Sequence, residues 1–388
     1  MELAKRYSDQ KPTGMIQIFQ AIEKMKAEGN PPLNLSIGEP DFVTEPDIVD
    51  AAAKAAKEGF THYPPLPGFL DLREAVCAYW ERHHGLKASP DEVIATVGGL
   101  HAPCLAFQSL LDPGDEIIIF EPYFTQYAQQ VSENGGVPVT LKTREENGFA
   151  PTMEELRAAA TPRTRGIILN SPGNPSGRVL SRKQMEDIAA FVEERDLFVL
   201  SDEIYESMVY GGSHTCFATL PGMKERTILV GGVSKSHCMT GWRLGYTIAP
   251  KNLVNMMCVM SSFQTYGVNT LSQKGAAYAL NTQDAKVKER GAIFEARMKA
   301  VEDRLNAMKG IACHPAEGAF YLFPSIKGTG LSSTEFAWRV LREAGVAVLP
   351  GNTFGGSGEG YIRIACTQSQ ETLMAAMDKM EQFTQNLL

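Results

Sequence analysis

The sequence VSKSHCMTGWRLGY occupies residues 233–246 and is the most informative stretch of the 388-residue chain. Lys235 stands there among small and apolar residues, Arg243 follows eight positions later, and predicted strands flank the segment on both sides. By itself, such a lysine is more often a solvated loop residue, because lysine is rarely buried without a partner. Three upstream loops supply complementary chemistry, and they make a functional lysine the better interpretation.

Each of these upstream loops follows a predicted strand. Residues 170–177 read NSPGNPSG, Asp202 and Tyr205 come after a second strand, and the pair Gly98-Gly99 joins a third strand to a helix. Each loop alone is more typical of a turn or a helix cap. However, ligands of open α/β sheets bind at the carboxyl ends of the strands, and the N-terminal end of a helix favours phosphate. The loops together therefore predict one ligand site.

The chain between about residues 45 and 280 alternates β-rich runs with helical runs. This alternation predicts an α/β fold with a mainly parallel sheet, and the continuous apolar strands indicate helices on both faces. The predicted strands are Val93–Val97, Glu116–Phe120, Val137–Leu141, Gly166–Leu169, Phe198–Ser201, Thr227–Val230 and Gly245–Ile248. The predicted helices include Pro46–Gly59, Phe69–His84 and Ser181–Arg195.

The two ends of the chain are predicted to form a smaller α+β domain. The predicted division is residues 1–45 as an N-terminal arm and part of the small domain, 46–283 as the large ligand-binding domain, and 284–388 as the small C-terminal domain. The last part contains a long connecting helix, Asp284–Lys309, then Ile311–His314, Ala319–Phe323, helix Ser333–Ala344, Val346–Leu349, Tyr361–Ala365 and a terminal helix from Ser369. The segment before Pro46 is too short to fold alone, so we expect it to pack on this C-terminal part or on a second subunit.

Composition narrows the function. The net charge of −8 and the pI near 5.5 disfavour nucleic acid and anionic membranes as partners, so any bound anion needs a local site. The seven cysteines include no CxxC pair, which argues against a disulfide framework or a zinc site. No metal site is predicted. The polar N-terminus lacks the apolar segment of a signal peptide, and no stretch is suited to span a bilayer, which predicts a cytoplasmic protein.

These motifs, in this order, resemble those of the class I aminotransferases of the aspartate aminotransferase superfamily, the type I fold of pyridoxal 5'-phosphate (PLP) enzymes. The resemblance covers nearly the whole chain. Its motifs are IGEPDF at 37–42, YPPLPGFLDLR at 63–73, Gly98-Gly99, Pro122-Tyr123-Phe124, NSPGNPSG at 170–177, Asp202–Tyr205, residues 234–246, and Tyr361-Ile362-Arg363-Ile364. The resemblance implies PLP as cofactor and an amino acid and a 2-oxo acid as substrates.

The resemblance also implies catalytic roles. Lys235 would bind PLP as a Schiff base and, once the substrate displaces it, move the proton between Cα and the cofactor. Asp202 would pair with the pyridinium N–H, which keeps the ring able to withdraw electrons. Asn174 and Tyr205 would hydrogen-bond the ring oxygen O3′. The expected reaction is a ping-pong transamination.

Further residues are implied to bind the cofactor phosphate and the substrate. The implied phosphate ligands are Arg243, Ser234, the backbone amides of Gly99, Leu100 and His101, and Tyr63 from the neighbouring subunit of a homodimer with shared active sites. Phe124 would stack on the pyridine ring, although a core aromatic gives the same sequence pattern. Arg363 would hold the substrate carboxylate, assisted by Gly38, with Phe124 and Asn174 also facing the substrate.

Departures from the family pattern bear on the substrate. Leu100 stands where a subgroup of bacterial aspartate aminotransferases has a lysine that meets the distal carboxylate, and an apolar side chain makes no such pair. Phe124 replaces a common tryptophan, and Gly232 replaces a Ser or Asn that contacts phosphate. We therefore expect a neutral, aromatic or sulfur-containing L-amino acid as donor and 2-oxoglutarate or pyruvate as acceptor, with Ile16–Phe19 as an apolar wall of the pocket.

Three alternatives stay open from the sequence. An arginine of the second subunit could meet a distal carboxylate, which would make the protein an aspartate aminotransferase. A carbon–sulfur β-lyase on the same scaffold would share Lys235, Asp202 and Arg363 and would release pyruvate and ammonia from cystathionine without an oxo-acid acceptor. A non-catalytic regulator is disfavoured by the intact lysine and by the missing DNA-binding segment.

Overall fold

A computed structural model describes residues 14–387. Its strands are β1 Leu33–Asn34, β2 Val93–Thr96, β3 Glu116–Glu121, β4 Val137–Lys142, β5 Thr164–Asn170, β6 Phe198–Asp202, β7 Thr227–Gly232, β8 Gly245–Ile248, β9 Tyr321–Leu322, β10 Val346–Ala347, β11 Leu349–Pro350 and β12 Ile362–Ala365. Its helices are α1 Gly14–Ala27, α2 Pro46–Lys57, α3 Leu70–His84, α4 His101–Leu110, α5 Gln126–Glu133, α6 Met153–Ala159, α7 Arg182–Glu194, α8 Lys251–Gln264, α9 Thr270–Thr282, α10 Asp284–Ala307, α11 Ser333–Arg339 and α12 Gln370–Leu387.

The large sheet has the strand order β2-β8-β7-β6-β5-β3-β4. Strand β8 runs antiparallel to both of its neighbours, and the other pairs are parallel, so the predicted α/β fold with a mainly parallel sheet is confirmed. All seven predicted strands of this region are present. In the register of β5 and β6, Asn170 lies beside Asp202, which brings two of the quoted loops to the same edge of the sheet.

Helices cover both faces of this sheet, as the apolar strands predict. Along β3, Ile117 and Ile119 pack into a buried cluster with Phe107 of α4, whereas Ile118 packs with Phe191 of α7. Because successive strand residues point to opposite faces, this alternation shows an apolar core on each side. Strand β3 therefore has no solvated face, whereas the edge strand β4 is partly exposed.

Local signals placed several helix ends correctly. Helix α7 begins after Ser181, whose hydroxyl accepts a hydrogen bond from the Gln184 amide, while the Gln184 side chain accepts one from the Ser181 amide. Helix α3 ends at Gly85, which has a φ of 71°. A left-handed residue at this position is the usual role of glycine after a helix.

The first described residues pack against the last part of the chain. Strand β1 pairs in parallel with β10, and the α1 residues Ile18 and Ile22 are buried with Phe323 and Phe354. Strands β11, β12 and β9 form a separate antiparallel sheet in that order. The division into residues 1–45, 46–283 and 284–388 stays a prediction, and residues 1–13 of its first part lie outside the described residues.

The C-terminal part differs from its sequence prediction in three places. Predicted strand Val346–Leu349 is two short strands, because β10 pairs with β1 while β11 pairs with β12 in another sheet. Predicted strand Ile311–His314 is a single bridge between Ala312 and Ser325. The predicted helix Ser333–Ala344 changes from α to π geometry at residues 340–344. Among residues 14–387, no helix has the length and apolar character needed to cross a membrane.

Arg297 joins the segment before α2 to the long helix α10. Its guanidinium donates hydrogen bonds of 2.7 and 2.9 Å to the two carboxylate oxygens of Asp41, and its Cζ lies 5.1 Å from the centre of the Phe42 ring. Arg297 is buried. Loss of one partner of such a pair leaves the other charge without compensation.

We expect Arg297→Ala to lower the free energy of unfolding by about 2 kcal/mol, because the charge-assisted hydrogen bonds to Asp41 and the packing of the arginine on Phe42 and Phe294 are lost. The matched control is Lys299→Ala on the same helix, whose side chain is 64% exposed in its ion pair with Asp303. Exposed pairs contribute less than about 1 kcal/mol. Urea denaturation measures both values. Equal losses in the two variants would contradict a stabilising role for the Asp41–Arg297 pair.

Candidate active site

A cavity of about 250 Å³ lies at the carboxyl ends of the central parallel strands. Residues from both ends of the chain complete its wall. The lining residues are Met15, Phe19, Ser36, Ile37, Gly38, Gly99, Leu100, Pro103, Phe124, Tyr127, Asn170, Asn174, Asp202, Ile204, Tyr205, Ser234, Lys235, Thr240, Arg243, Tyr321 and Arg363. The position agrees with the general rule for ligands of open α/β sheets.

Asp202 ends strand β6 and carries the carboxylate of this cavity. Its side chain accepts hydrogen bonds from the Tyr127 hydroxyl at 2.5 Å and from the Ile204 amide at 3.2 Å. Burial raises the pKa of Asp202 to about 6, while the two hydrogen bonds act in the opposite direction. A cation placed beside this carboxylate would favour its ionised form, and Asp202 is therefore suited to hold a positively charged ligand group.

Lys235 follows strand β7 and reaches into the same cavity. Its Nζ donates a hydrogen bond of 2.6 Å to the carbonyl oxygen of Gly38. Burial, followed by the positive charge of Arg363, lowers the pKa of Lys235 to about 8. A substantial fraction of this amine is therefore uncharged near neutral pH, which is the condition for attack on a carbonyl carbon.

Arg363 lies on strand β12 and is buried. Its Nη1 donates to Asn174 Oδ1 at 2.9 Å and its Nη2 donates to the Ser36 carbonyl at 2.6 Å, whereas its Nε has no hydrogen-bond partner among the described residues. A buried guanidinium with an unused donor is costly unless a ligand supplies an acceptor. The planar group matches a carboxylate, which it can bind through two parallel hydrogen bonds.

Two buried phenols connect these groups. The hydroxyls of Tyr205 and Tyr321 lie 2.8 Å apart, and the Arg363 Cζ is 4.5 Å from the centre of the Tyr321 ring. Burial raises the pKa of Tyr205 above its ordinary value, so the phenol keeps its proton and remains a hydrogen-bond donor.

A tight backbone crossing forms another wall of the cavity, next to Arg243. A Cβ atom on Gly98 would lie 2.5 Å from Arg243 Nη2, and one on Gly245 would lie 2.7 Å from the Gly98 carbonyl carbon. Gly98 also has a φ of 67°. Both positions require glycine. The close approach of Gly98 and Gly245 places the Arg243 guanidinium beside the loop that leads into the N-terminal end of α4. Ser234 adds a hydroxyl, so this wall can hold a phosphate.

The charges of the cavity favour an anionic ligand. Lys235, Arg243 and Arg363 face a single carboxylate, Asp202. This local excess of positive charge contrasts with the net charge of −8 of the whole chain, as the sequence predicts for a protein that binds an anion. In residues 14–387, no group of His, Cys, Asp and Glu has the arrangement of a metal site.

Most of the predicted site residues meet in this cavity. Those lining it are Gly38, Gly99, Leu100, Phe124, Asn174, Asp202, Tyr205, Ser234, Lys235, Arg243 and Arg363. His101 and Tyr63 do not line it. The His101 amide donates to the Gly98 carbonyl, and the His101 ring contacts Gln264, so this chain offers no observation in favour of the predicted phosphate contact of His101. Tyr63 is 82% exposed and packs edge-to-face on Tyr266.

Sequence reasoning missed several residues of the cavity. Tyr127 lies one helical turn beyond Phe124, and that spacing is the signal that could have identified it. Tyr321 gave no such signal, because the strand around it is apolar on both sides. The predicted apolar wall Ile16–Phe19 is partly wrong: Met15 and Phe19 line the cavity, whereas Ile18 points into the core, since only residues three or four apart share a helix face.

Comparisons with known proteins agree with this geometry. A sequence model described as "Aminotransferase class I and II" matches residues 30–380. The chain is 38% identical to an aspartate aminotransferase of Geobacillus stearothermophilus, covering 99% of both proteins. It is 41% identical to aromatic-amino-acid aminotransferase 2 of Thermococcus litoralis, covering 98% of both proteins.

Solved structures give the same result. The crystal structure of an aromatic aminotransferase from Pyrococcus horikoshii is 39% identical to this chain and superposes with a TM-score of 0.90, covering 96% of this chain and 100% of that chain. An aspartate aminotransferase from Thermus thermophilus with maleate is 35% identical, with a TM-score of 0.93 and complete coverage of both chains. The fold, the cavity and these similarities together show that the chain belongs to the class I and II aminotransferase family.

Proposed function

We propose that the protein is a PLP-dependent aminotransferase that transfers the amino group of a neutral, aromatic or sulfur-containing L-amino acid to 2-oxoglutarate or pyruvate. The observation that carries the proposal is the meeting, in one cavity, of an amine with a lowered pKa, a carboxylate and two arginines, Lys235, Asp202, Arg243 and Arg363.

The residues present fit the cofactor. The glycine-lined wall beside Arg243 and Ser234 would hold the phosphate, Asp202 would hold the ring nitrogen, and Phe124 would lie against the ring. When bound, PLP supplies an aldehyde that takes up amino groups and a protonated ring that accepts electron density from the substrate. The protein's own part is to position the groups that exchange protons.

Lys235 is proposed as both the attachment point and the proton carrier. Its Nζ is the amine of the cavity, and the pKa lowered to about 8 leaves it able to release and take up a proton at the substrate Cα near neutral pH. The Gly38 carbonyl accepts a hydrogen bond from this Nζ, so the amine is held at a defined place when it carries no ligand. Tyr205 and Asn174 are proposed as donors to the ring oxygen.

Arg363 is proposed to bind the α-carboxylate shared by donor and acceptor. Its contacts with Asn174 and Ser36 fix the plane of the guanidinium. Its Nε, which has no partner among the described residues, can donate a hydrogen bond to a ligand oxygen. A lysine would not replace it, because the planar group binds a carboxylate through two donors of fixed geometry. Each charge-assisted contact contributes about 1.5–3 kcal/mol.

The donor preference rests on the apolar part of the cavity. Met15, Phe19, Ile37, Leu100 and Pro103 contribute apolar side chains to the cavity lining. A distal carboxylate placed there would lose hydration without gaining a charged partner from the described residues of this chain. The similarity to a relative named as an aromatic-amino-acid aminotransferase supports this preference, and the similarity to relatives named as aspartate aminotransferases keeps aspartate as the second candidate.

A homodimer with shared active sites is part of the proposal. Tyr63 belongs to the motif at residues 63–73 that this chain shares with the family. Its side chain is nevertheless 82% exposed and packs on Tyr266. Aromatic residues are enriched at protein–protein interfaces, so this exposed pair is compatible with a subunit contact. In such a dimer Tyr63 would contact the cofactor phosphate bound by the other subunit.

We expect Lys235→Ala to abolish transamination and covalent attachment of the cofactor. Wild-type protein incubated with PLP and reduced with sodium borohydride should carry the cofactor on the peptide that contains Lys235, as read by mass spectrometry. The matched control is Lys274→Ala, which removes a mostly buried lysine paired with Asp71 outside the cavity. Ordinary transamination by the Lys235→Ala variant, or labelling of another lysine, would contradict the mechanism.

The rate of PLP attachment to cofactor-free protein should depend on pH. Only the neutral amine attacks an aldehyde, so lowering the pH below the Lys235 pKa of about 8 removes the reactive form. The rate should rise about tenfold per pH unit between pH 6 and 7 and level off above pH 8. Nα-acetyl-lysine has the ordinary lysine pKa of 10.5, so its rate of reaction with PLP should continue to rise above pH 8. A protein curve parallel to that of the free amine would refute the lowered pKa.

Leu100→Lys should shift the donor preference toward aspartate, because the new ammonium faces the apolar region of the cavity. We expect kcat/KM for aspartate to rise at least about tenfold and that for phenylalanine to fall, the size expected for one charge-assisted contact. Leu70→Lys adds the same charge at an exposed position outside the cavity and should change neither. If the wild-type activity is highest with aspartate, the proposed preference for neutral, aromatic or sulfur-containing donors is wrong, whereas the proposed mechanism is unaffected.

A further inference from the structure

Tyr321 contacts two of the residues to which the proposed function assigns a role, Tyr205 and Arg363. It lies on strand β9 in the C-terminal part of the chain and is only 2% exposed. Its hydroxyl is 2.8 Å from the Tyr205 hydroxyl, and its ring centre is 4.5 Å from the Cζ of Arg363. One side chain thus contacts both the phenol proposed to meet the cofactor and the arginine proposed to meet the substrate.

The contact with Gly38 adds a third connection. A Cβ atom at Gly38 would lie 1.9 Å from the Tyr321 hydroxyl oxygen, so the backbone approaches this phenol as closely as only glycine permits. The carbonyl of the same glycine accepts the hydrogen bond of Lys235 Nζ. The position of Tyr321 therefore limits where the acceptor of the lysine can lie.

The direction of the phenol–phenol hydrogen bond matters. Either hydroxyl can donate. When the Tyr205 hydroxyl donates a hydrogen bond to a ligand oxygen, its own oxygen can accept a hydrogen bond from the Tyr321 hydroxyl. Consecutive hydrogen bonds polarise one another, and a donor that also accepts a bond becomes a stronger donor. Tyr321 can in this way strengthen the contact between Tyr205 and a negatively charged oxygen.

The ring of Tyr321 acts on Arg363 in a different way. The guanidinium already donates to Asn174 and Ser36, and the aromatic ring covers it at cation–π distance. A ring in this place excludes water from the guanidinium and restricts its rotation, which leaves the unpartnered Nε for a ligand carboxylate. The hydroxyl and the ring thus have separable effects.

We propose that Tyr321 is a positioning residue with two functions, its hydroxyl strengthening the donor Tyr205 and its ring fixing Arg363 for the substrate carboxylate. This inference rests on the proposed function, because it assigns Tyr321 a role through the residues named there. It assigns no contact between Tyr321 and the reacting atoms.

Two substitutions separate the two functions. Tyr321→Phe keeps the ring and removes the hydroxyl. The pH at which the absorbance of bound PLP is halfway through its change should therefore rise by about 0.5 unit. The affinity for 3-phenylpropionate, an unreactive carboxylate, should stay within twofold. Tyr321→Leu also removes the ring, and its dissociation constant for 3-phenylpropionate should rise about tenfold. Absorbance titration gives both quantities for the PLP-loaded enzyme, and thermal unfolding checks that each variant is folded.

Tyr210→Phe is the matched control. Its hydroxyl donates a 2.6 Å hydrogen bond to the Ala319 carbonyl, so this variant also loses one phenol hydrogen bond close to β9, without a contact to Tyr205 or Arg363. It should leave both quantities unchanged. Equal midpoints in wild type and Tyr321→Phe, or an unaltered carboxylate affinity in Tyr321→Leu, would overturn the corresponding function of Tyr321. A wild-type protein that binds no PLP would overturn the proposed function and this inference together.

Discussion

The burial of Lys235 and Arg363 in one cavity is the constraint on which the rest of the site depends. Both cations belong to one cavity, and the charge of Arg363 adds to the cost of burial in lowering the pKa of Lys235 to about 8. Two cations with reduced hydration need acceptors, and the chain supplies carbonyl groups of Gly38 and Ser36. The remaining positive charge attracts anions, so the burial of two cations in one cavity produces both an amine with a lowered pKa and a site that favours anions.

The fold was predictable because its signals are local. Apolar runs gave every strand of the large sheet, and the Ser181 capping box and Gly85 gave helix ends within two residues. Prediction failed where pairing partners decide the outcome. The run 346–349 has one β-rich pattern, yet it divides at Val348 because its two halves pair with different sheets. A sequence pattern reports propensity and burial, but not which strand lies alongside.

The candidate site was predictable to the extent that its residues belong to motifs. Lys235, Asp202 and Arg363 were recognised through residue type and family resemblance, and the structure brings them into one cavity. Tyr127 and Tyr321 were missed, because a tyrosine in an apolar strand or helix serves equally well as core. Which way each hydroxyl points depends on packing between parts of the chain that are distant in sequence. The predicted wall Ile16–Phe19 was partly wrong for a different reason, because a continuous run of residues cannot share one helix face.

The location of Arg363 on strand β12 also orders events during synthesis. Residues 98–245, which contain the lysine, the carboxylate and the glycine-lined wall, leave the ribosome roughly 120 residues ahead of Arg363. The surface against which β12 docks includes Ser36, which precedes all of these residues in the sequence. The residues proposed to hold the cofactor are therefore synthesised well before the arginine proposed to bind the substrate carboxylate. The segments around Ser36 and Arg363, which are far apart in the sequence, must meet before this proposed carboxylate site is complete.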